Sequence, residues 1–453
     1  MDWILSVLVR LIAAFARLRI GSCGARKPGE RLKLLLVGYN GARNTGSDVR
    51  VAALSRQIKE VFGPENVRIT VMTLDRAALE GYFDEDVTLR QFSSIFLWDL
   101  YRACSESDAA ILCEGSTLKS TFANALTLFM CEAAGVMSAQ GKPCVAYGSE
   151  VGRMDPYIRR TVRRLCRDTY FITRTENALG ALRALGLAGH AGTDTAWTYD
   201  GAIGADEARA LLTRQGWDGR KPLLGVAVID PFCWPVRASL GKWVRAGVTG
   251  RRNGQYDKWY FFSDSPRRRA AYARYIDEVA RGVGDFLREH DFFPVVIGME
   301  RLDEGPCADL AARLGRPCAM FLSGSTPANV MAGILHRLDA LVTSRYHAAV
   351  LGMQAGVPFV AVSMDERLDG IVKELGMTEN CLCHVTDIEL DKRIQTALSN
   401  ILRDRTAAVE AIRCQVSVYR ERLRGMGVFL KDYMEKRCPD EGCIWRDWSG
   451  WVF

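Results

Sequence analysis

Residues 338–364 constrain this chain more than any other stretch. Positions 339–343 and 358–362 are short β-favouring runs, and 345–354 between them has helix-forming composition. The helix is expected to stop at Gly356, the residue type suited to the left-handed position just past a helix end. Strand, helix and strand at this spacing make one βαβ step of a parallel sheet. Arg345 and His347 then fall at the carboxyl end of a strand and the amino end of the next helix, with Ser344 beside them. Unpaired N–H groups and the helix dipole favour an anion there, and open α/β sheets bind ligands along that edge. A guanidinium and an imidazole at such a place can grip and protonate an anionic substrate. The plainer alternative makes Arg345 a cap on a neighbouring carbonyl and His347 a hydrogen-bonded histidine of the sheet edge.

With 453 residues, 48% hydrophobic and 25% charged, the chain is too long for one core. Two α/β domains of roughly 200 residues each are expected. A net charge of +7 suits an anionic substrate or an anionic membrane face and falls short of a nucleic-acid footprint. Cysteines such as Cys104, Cys113 and Cys144 stand singly in apolar runs, as small buried hydrophobes of a reducing compartment do. Cys381, Cys383 and His384 have no second ligand pair at zinc spacing, and no metal is expected.

In chain order, residues 1–30 read as an amphipathic helix and a linker. The apolar run 3–20 contains Arg10, Arg17 and Arg19 and is too short on either side of Arg10 to cross a bilayer. It is expected to lie in a membrane interface or, equally, to pack on the body or on a partner subunit. Residues 31–216 form the first domain. Its first strand, 33–37, runs into a glycine-rich turn with Gly38, Asn40, Asn44, Gly46 and Asp48, where backbone can approach a ligand closely. The spacing is neither that of a dinucleotide site nor that of a P-loop. A strand at 109–113 enters a second turn containing Glu114 and Ser116.

Residues 217–386 form the second domain, in which Ser363 and Asp365 follow the strand 358–362 at the same edge as His347. Within it, 232–266 interleaves Trp234, Trp243, Tyr256 and Trp259 with lysines and arginines without a clear period. It reads as a mobile cover over the cleft or as a small folded excrescence. Residues 387–453 are a tail: a helix over 387–434 that crosses back over the first domain, then an aromatic end with Trp445, Trp448, Trp451 and Phe453.

The run Ser344-Arg345-Tyr346-His347-Ala348, then Gly352, Ala355-Gly356-Val357-Pro358, Ser363 and Asp365 resembles the C-terminal signature of the polysaccharide pyruvyl transferase family. The loop Gly46-Ser47-Asp48 is similar to the family's opening loop, with Ser47 set between a usual Gly-Asp pair. Leu185-Gly186 and Thr193-Asp194-Thr195-Ala196 match further pieces, so the resemblance runs collinearly over about 33–376. Where the family has successive glycines, this chain has Glu114 and Ser116: a functional carboxylate, a divergent acceptor pocket or a purely structural turn. The family's arginine after the first strand of the second domain has Arg237 as its nearest counterpart.

The resemblance implies two doubly wound Rossmann-like domains facing a cleft, a glycosyltransferase-B-like fold, with the acceptor on the first domain and the donor on the second. It implies transfer of the enolpyruvyl carbons of phosphoenolpyruvate to two hydroxyls of a sugar or glycolipid, without cofactor or metal. His347 is then the proton donor and Arg345 the anchor for the donor's charge. Gly38, Asn40, Asn44, Gly46, Asp48, Glu114, Ser116, Arg237, Ser344, Ser363 and Asp365 are the expected substrate-binding residues. The expected setting is the cytoplasm, at the inner face of the cell membrane. The alternatives are a glycosyltransferase using a nucleotide sugar and a non-catalytic protein of envelope-polysaccharide assembly.

Overall fold

The computed structural model describes residues 1–19, 29–93, 95–249, 255–257 and 259–437. Residues 20–28 of the linker, the aromatic end and the insertion's Arg251, Arg252 and Lys258 lie outside the described residues.

Two parallel sheets make the body. The first has seven strands in the order Thr88–Gln91, Val67–Thr73, Leu32–Val37, Ala109–Leu112, Cys144–Ser149, Tyr170–Thr173, Gly189–Ala191. The second has six, in the order Ala319–Leu322, Phe293–Gly298, Leu223–Ala227, Ala340–Thr343, Phe359–Ser363, Leu382–His384. The central strands are buried along their whole length. That accounts for their largely apolar content, rich in Val, Leu and Ala, since a parallel sheet has helices on both faces. In each sheet the chain starts at a central strand, works outward, and returns to pair its fourth strand with its first. This reversal opens a crevice at the carboxyl ends of the two strands, the place where doubly wound folds bind ligands. The chain thus has two such crevices, one per domain.

Helices join the halves. Thr45–Phe62 begins at the first crevice, and its first amide donates to the carbonyl of Met299 in the second domain at 2.9 Å. Among the described residues of the tail, the single helix expected over 387–434 is broken at Asp404 into two, Leu390–Arg403 and Arg405–Arg437. The latter touches both domains: Tyr419 stacks on buried Trp197, Gln57 donates to the Leu423 carbonyl at 3.0 Å and Tyr433 stacks on Tyr170 in the first, while Arg405 pairs with Asp339 at 3.1 Å and Arg422 with Glu374 at 2.7 Å in the second.

Asp2–Leu18 is a helix packed on Asn124–Ala139 and Pro156–Leu165 of the first domain. Asn124 donates to Asp2 at 3.1 Å, and the Ser6 and Thr161 hydroxyls meet at 2.8 Å. Among the described residues no helix is long and apolar enough to cross a membrane. The insertion is a small folded unit. Strands Arg237–Ala238, Gln255–Asp257 and Tyr260–Phe261 form an antiparallel sheet, and the helix Leu240–Thr249 follows the first of them. It reaches the first domain through a hydrogen bond from Val236 N to Phe122 O at 2.7 Å and through the hydroxyl pair Tyr39–Tyr256.

Candidate active site

One cavity of ≈ 210 Å³ takes its walls from both crevices. The first domain supplies Gly38, Asn44, Gly46, Glu114, Ser116 and Arg174; the second supplies Ser344, Arg345, His347, Glu300 and Arg367. Trp234 and Tyr256 of the insertion cover it, and Phe92, Phe96, Phe122 and Phe129 line an apolar arm.

His347 stands in the first turn of Tyr346–Gln354, following Arg345 at the N-cap. Its ring lies against the first turn of Thr45–Phe62 so closely that a Cβ on Gly46 would fall 2.0 Å from Nδ1. Glycine is what allows the domains to meet there. The other ring nitrogen, Nε2, is 3.5 Å from Asp194 Oδ2. Asp194 is fully buried between two guanidiniums, with Arg50 Nε 3.1 Å from one oxygen and Arg174 Nη2 3.0 Å from the other. Burial acts against its charge, but Arg50, Arg174 and His347 together hold the carboxyl well below the usual range. Burial is also the main influence on His347, reinforced by Arg174 and Arg50 and opposed by Asp194. It brings the imidazole down to about 4, so the resting side chain is neutral at pH 7.

The cations of the cavity differ in how far they are already engaged. Arg345 gives Nη2 to Glu300 at 2.9 Å and has Nε 3.3 Å from Asp303. Arg367 is clamped by Asp365, with Nη2 to Oδ2 at 2.7 Å. Arg174 shares its one carboxylate with Arg50, and its Nε and Nη1 are buried without a hydrogen-bond partner among the described residues. Its plane lies over the Tyr346 ring at 4.8 Å, and a Cβ on Gly115 would fall 1.7 Å from its Nη2. Two guanidiniums sharing one buried carboxylate leave positive charge at the cavity wall, where an anion would be held by charge-assisted hydrogen bonds.

Glu114 makes the first crevice different. Its carboxylate accepts from Tyr39 N at 3.3 Å, Ser116 N at 3.2 Å and the Ser47 hydroxyl at 3.4 Å. Backbone N–H groups that would face a ligand anion face this side chain instead.

Five of the residues expected at the site lie outside the cavity wall. Asn40 is buried and bonds the Met72 carbonyl at 3.0 Å, fixing the loop. Asp48 accepts from Gly41 N at 3.2 Å, and burial pushes its carboxyl up to about 7. Ser363 bonds the Asp365 carbonyl, and Asp365 serves by holding Arg367. Arg237 lies 3.4 Å from both Asp155 and the Ser120 carbonyl, tying the insertion to the first domain. Three residues absent from the expectation matter more: Arg174, Arg367 and Asp194. Arg174 had a readable signal, an arginine at the end of a strand just before a helix, the same signature that singles out Arg345.

The sequence model described as polysaccharide pyruvyl transferase matches residues 44–366, well over half of the chain. No curated protein sequence matches. Several solved structures are similar in fold. The Anabaena protein HepE, in complex with UDP-glucose, aligns over 90% of this chain and 100% of its own at 9% identity and a TM-score of 0.55. A UDP-N-acetylglucosamine 2-epimerase from Rickettsia bellii aligns over 90% and 99% at 10% identity and 0.53. One from Neisseria meningitidis, bound to UDP-GlcNAc, aligns over 87% and 100% at 9% identity and 0.50. At such identities the likeness establishes a glycosyltransferase-B-like fold and nothing about ligands.

Proposed function

The chain belongs to the polysaccharide pyruvyl transferase family, a family of transferases, and on that premise we propose that it moves the enolpyruvyl carbons of phosphoenolpyruvate onto two hydroxyls of one saccharide unit. The observation that carries the reading is the unspent guanidinium of Arg174 beside His347, both at Asp194 Oδ2, in a cavity shared by both domains. The donor is a small trianion, and the cavity offers Arg174, Arg345 and Arg367 to it. Arg174 has donors to spare, so it takes the larger share of the anchoring, with Arg345 and Arg367 held in place by their own carboxylates.

The chemistry balances with one proton relay. A sugar hydroxyl adds to the central carbon of the donor while the methylene carbon takes a proton and becomes a methyl group. The second hydroxyl then displaces phosphate, closing the ketal, and its proton leaves on the phosphate. His347 is neutral in the empty site, so it does not arrive with a proton to give. It acquires one from the attacking hydroxyl or as the donor's negative charge raises its proton affinity, and passes it to carbon. Asp194 stabilises the imidazolium that forms, as a buried carboxylate does for a catalytic histidine. Peripheral contact with the cytoplasmic face of the membrane fits a donor found in the cytoplasm and an acceptor destined for the cell surface.

The test is thermal shift with phosphoenolpyruvate against UDP and GDP, since a ligand bound only by the folded state raises the melting temperature. A rise with phosphoenolpyruvate alone is expected. A rise with a nucleotide alone would move the protein to the nucleotide-sugar glycosyltransferases.

A further inference from the structure

The helix Asp2–Leu18 is inverted relative to an ordinary surface helix. It turns mostly small residues inward, Ser6, Val9, Ala13 and Ala16, with Leu5 and Ile12 partly buried beside them. Large apolar ones face solvent, with Trp3 63%, Leu11 59% and Leu18 85% exposed. A helix held on a body by its own packing shows the reverse pattern. The apolar surface continues onto Ile95 and Trp98, 66% and 51% exposed, with Trp98 against Phe15 at 5.7 Å. At the other end Asn124 donates to both Asp2 and Asp155, and Asp155 pairs with Arg237 at 3.4 Å, which brings in the helix Leu240–Thr249 with Leu240, Trp243 and Val248 exposed. Of the large apolar side chains exposed among the described residues, only Ile388, Val418 and Val428 lie elsewhere. An apolar face gathered this way marks an interaction site.

Its charge says what covers it. The helix carries Arg10 and Arg17, and its one acid, Asp2, is buried. Pro156–Leu165, packed beside it, exposes Arg159, Arg160, Arg163 and Arg164 and contains no acid. Two copies meeting here would bring arginine to arginine. Anionic lipid headgroups above an acyl layer complement both parts, the arginines at the headgroups and the apolar rings below them.

The surface also leads to the cavity. In one short segment Ile95 and Trp98 are exposed while Phe92 and Phe96 line the apolar arm and pack on Phe129. Ser93 is both exposed and part of the cavity wall, so the cavity reaches the surface within this face. We propose that this face docks on an anionic bilayer and presents the apolar arm to it, so that the acceptor saccharide enters while still attached to a membrane lipid. The acceptor part rests on the pyruvyl transfer reading; the docking part does not.

The experiment is co-sedimentation of the full chain with phosphatidylcholine vesicles, with and without phosphatidylglycerol. It is repeated for W3E/L8E/L11E and for a variant with Arg159, Arg160, Arg163 and Arg164 changed to Gln. The wild-type chain is expected to sediment with the anionic vesicles, and each variant to bind at least about tenfold less. Amide exchange in 95–98 should slow on the anionic vesicles, while phosphoenolpyruvate binding by calorimetry is the same for all three proteins. Wild type left in the supernatant, or W3E/L8E/L11E sedimenting as wild type does, overturns docking. A wild-type dimer that W3E/L8E/L11E converts to monomer would assign the face to a second copy instead. Vesicle binding without phosphoenolpyruvate binding keeps docking and removes the pyruvyl transfer reading.

Discussion

The two crevices have the same topology and opposite electrostatics. In the second domain the crevice edge carries Arg345 and His347, with Arg367 close by, and Arg174 and Asp194 reach it from the first domain. In the first domain the equivalent edge is filled from within: Glu114 receives the N–H groups of Tyr39 and Ser116. A fold that offers two anion sites has kept one and neutralised the other. On the proposed reading, the neutralised crevice takes the uncharged hydroxyl-bearing acceptor and the cationic one takes the donor.

The comparison is most exposed at His347. If the chemistry sits on the cationic side, His347→Ala lowers kcat by about 10²–10⁴-fold and leaves donor affinity near that of wild type. Turnover at the wild-type rate would break the assignment outright. The same residue should also leave a mark on stability. Its folded pKa of about 4 lies below the unfolded value near 6.5. The unfolded chain therefore binds the extra proton, and stability is lost as pH falls from 6.5 through 4. His347→Gln should abolish that part of the acid limb, about 3 kcal/mol at most, in urea titrations run across the window. Asp194 acts in the same direction but only below its ordinary value of 3.8, so the two are separable.

A smaller effect sharpens the division among the cations. Arg174→Lys keeps a charge and loses the fork, and it should weaken phosphoenolpyruvate binding roughly tenfold by calorimetry, more than Arg345→Lys does. The opposite ranking would return the anchoring role to Arg345. The smallest effect probes the filled crevice. Glu114→Ala leaves the Tyr39 and Ser116 amides without their acceptor and should cost about 1–3 kcal/mol of stability. Millimolar inorganic phosphate should restore part of the melting temperature of the variant and leave wild type unchanged. No rescue would mean that the crevice was never an anion site.

Much of this was legible before any coordinates. The 338–364 stretch placed Arg345 and His347 at a strand end because period and turn chemistry are local properties. The family signature set the glycosyltransferase-B-like fold. What a single chain does not reveal is which side chains of one domain meet which of the other. Asp194 reads only as part of a family match near the end of the first domain until Arg50, Arg174 and His347 converge on it from three elements. Asn40 and Asp48 look like ligand groups in a glycine-rich loop, yet both bond their own backbone surroundings. The inverted first helix escaped for a related reason: its periodicity is ordinary, and only docking shows which face is turned inward.

The helix Arg405–Arg437 sets a limit on motion. At 33 residues it is a stiff rod about 50 Å long, seated on Trp197, Gln57 and Tyr170 of the first domain and tied to Asp339 and Glu374 of the second. Swinging the domains apart would require bending that rod or stripping it from one of them. The cheaper motion is at the insertion, whose hold on the first domain among the described residues is local: a backbone hydrogen bond to Phe122, the Trp234 ring against Phe122, and the polar links of Arg237 and Tyr256. Substrate traffic through this enzyme is therefore expected to resemble the lifting of a flap on a closed box, with the box keeping its shape throughout the cycle.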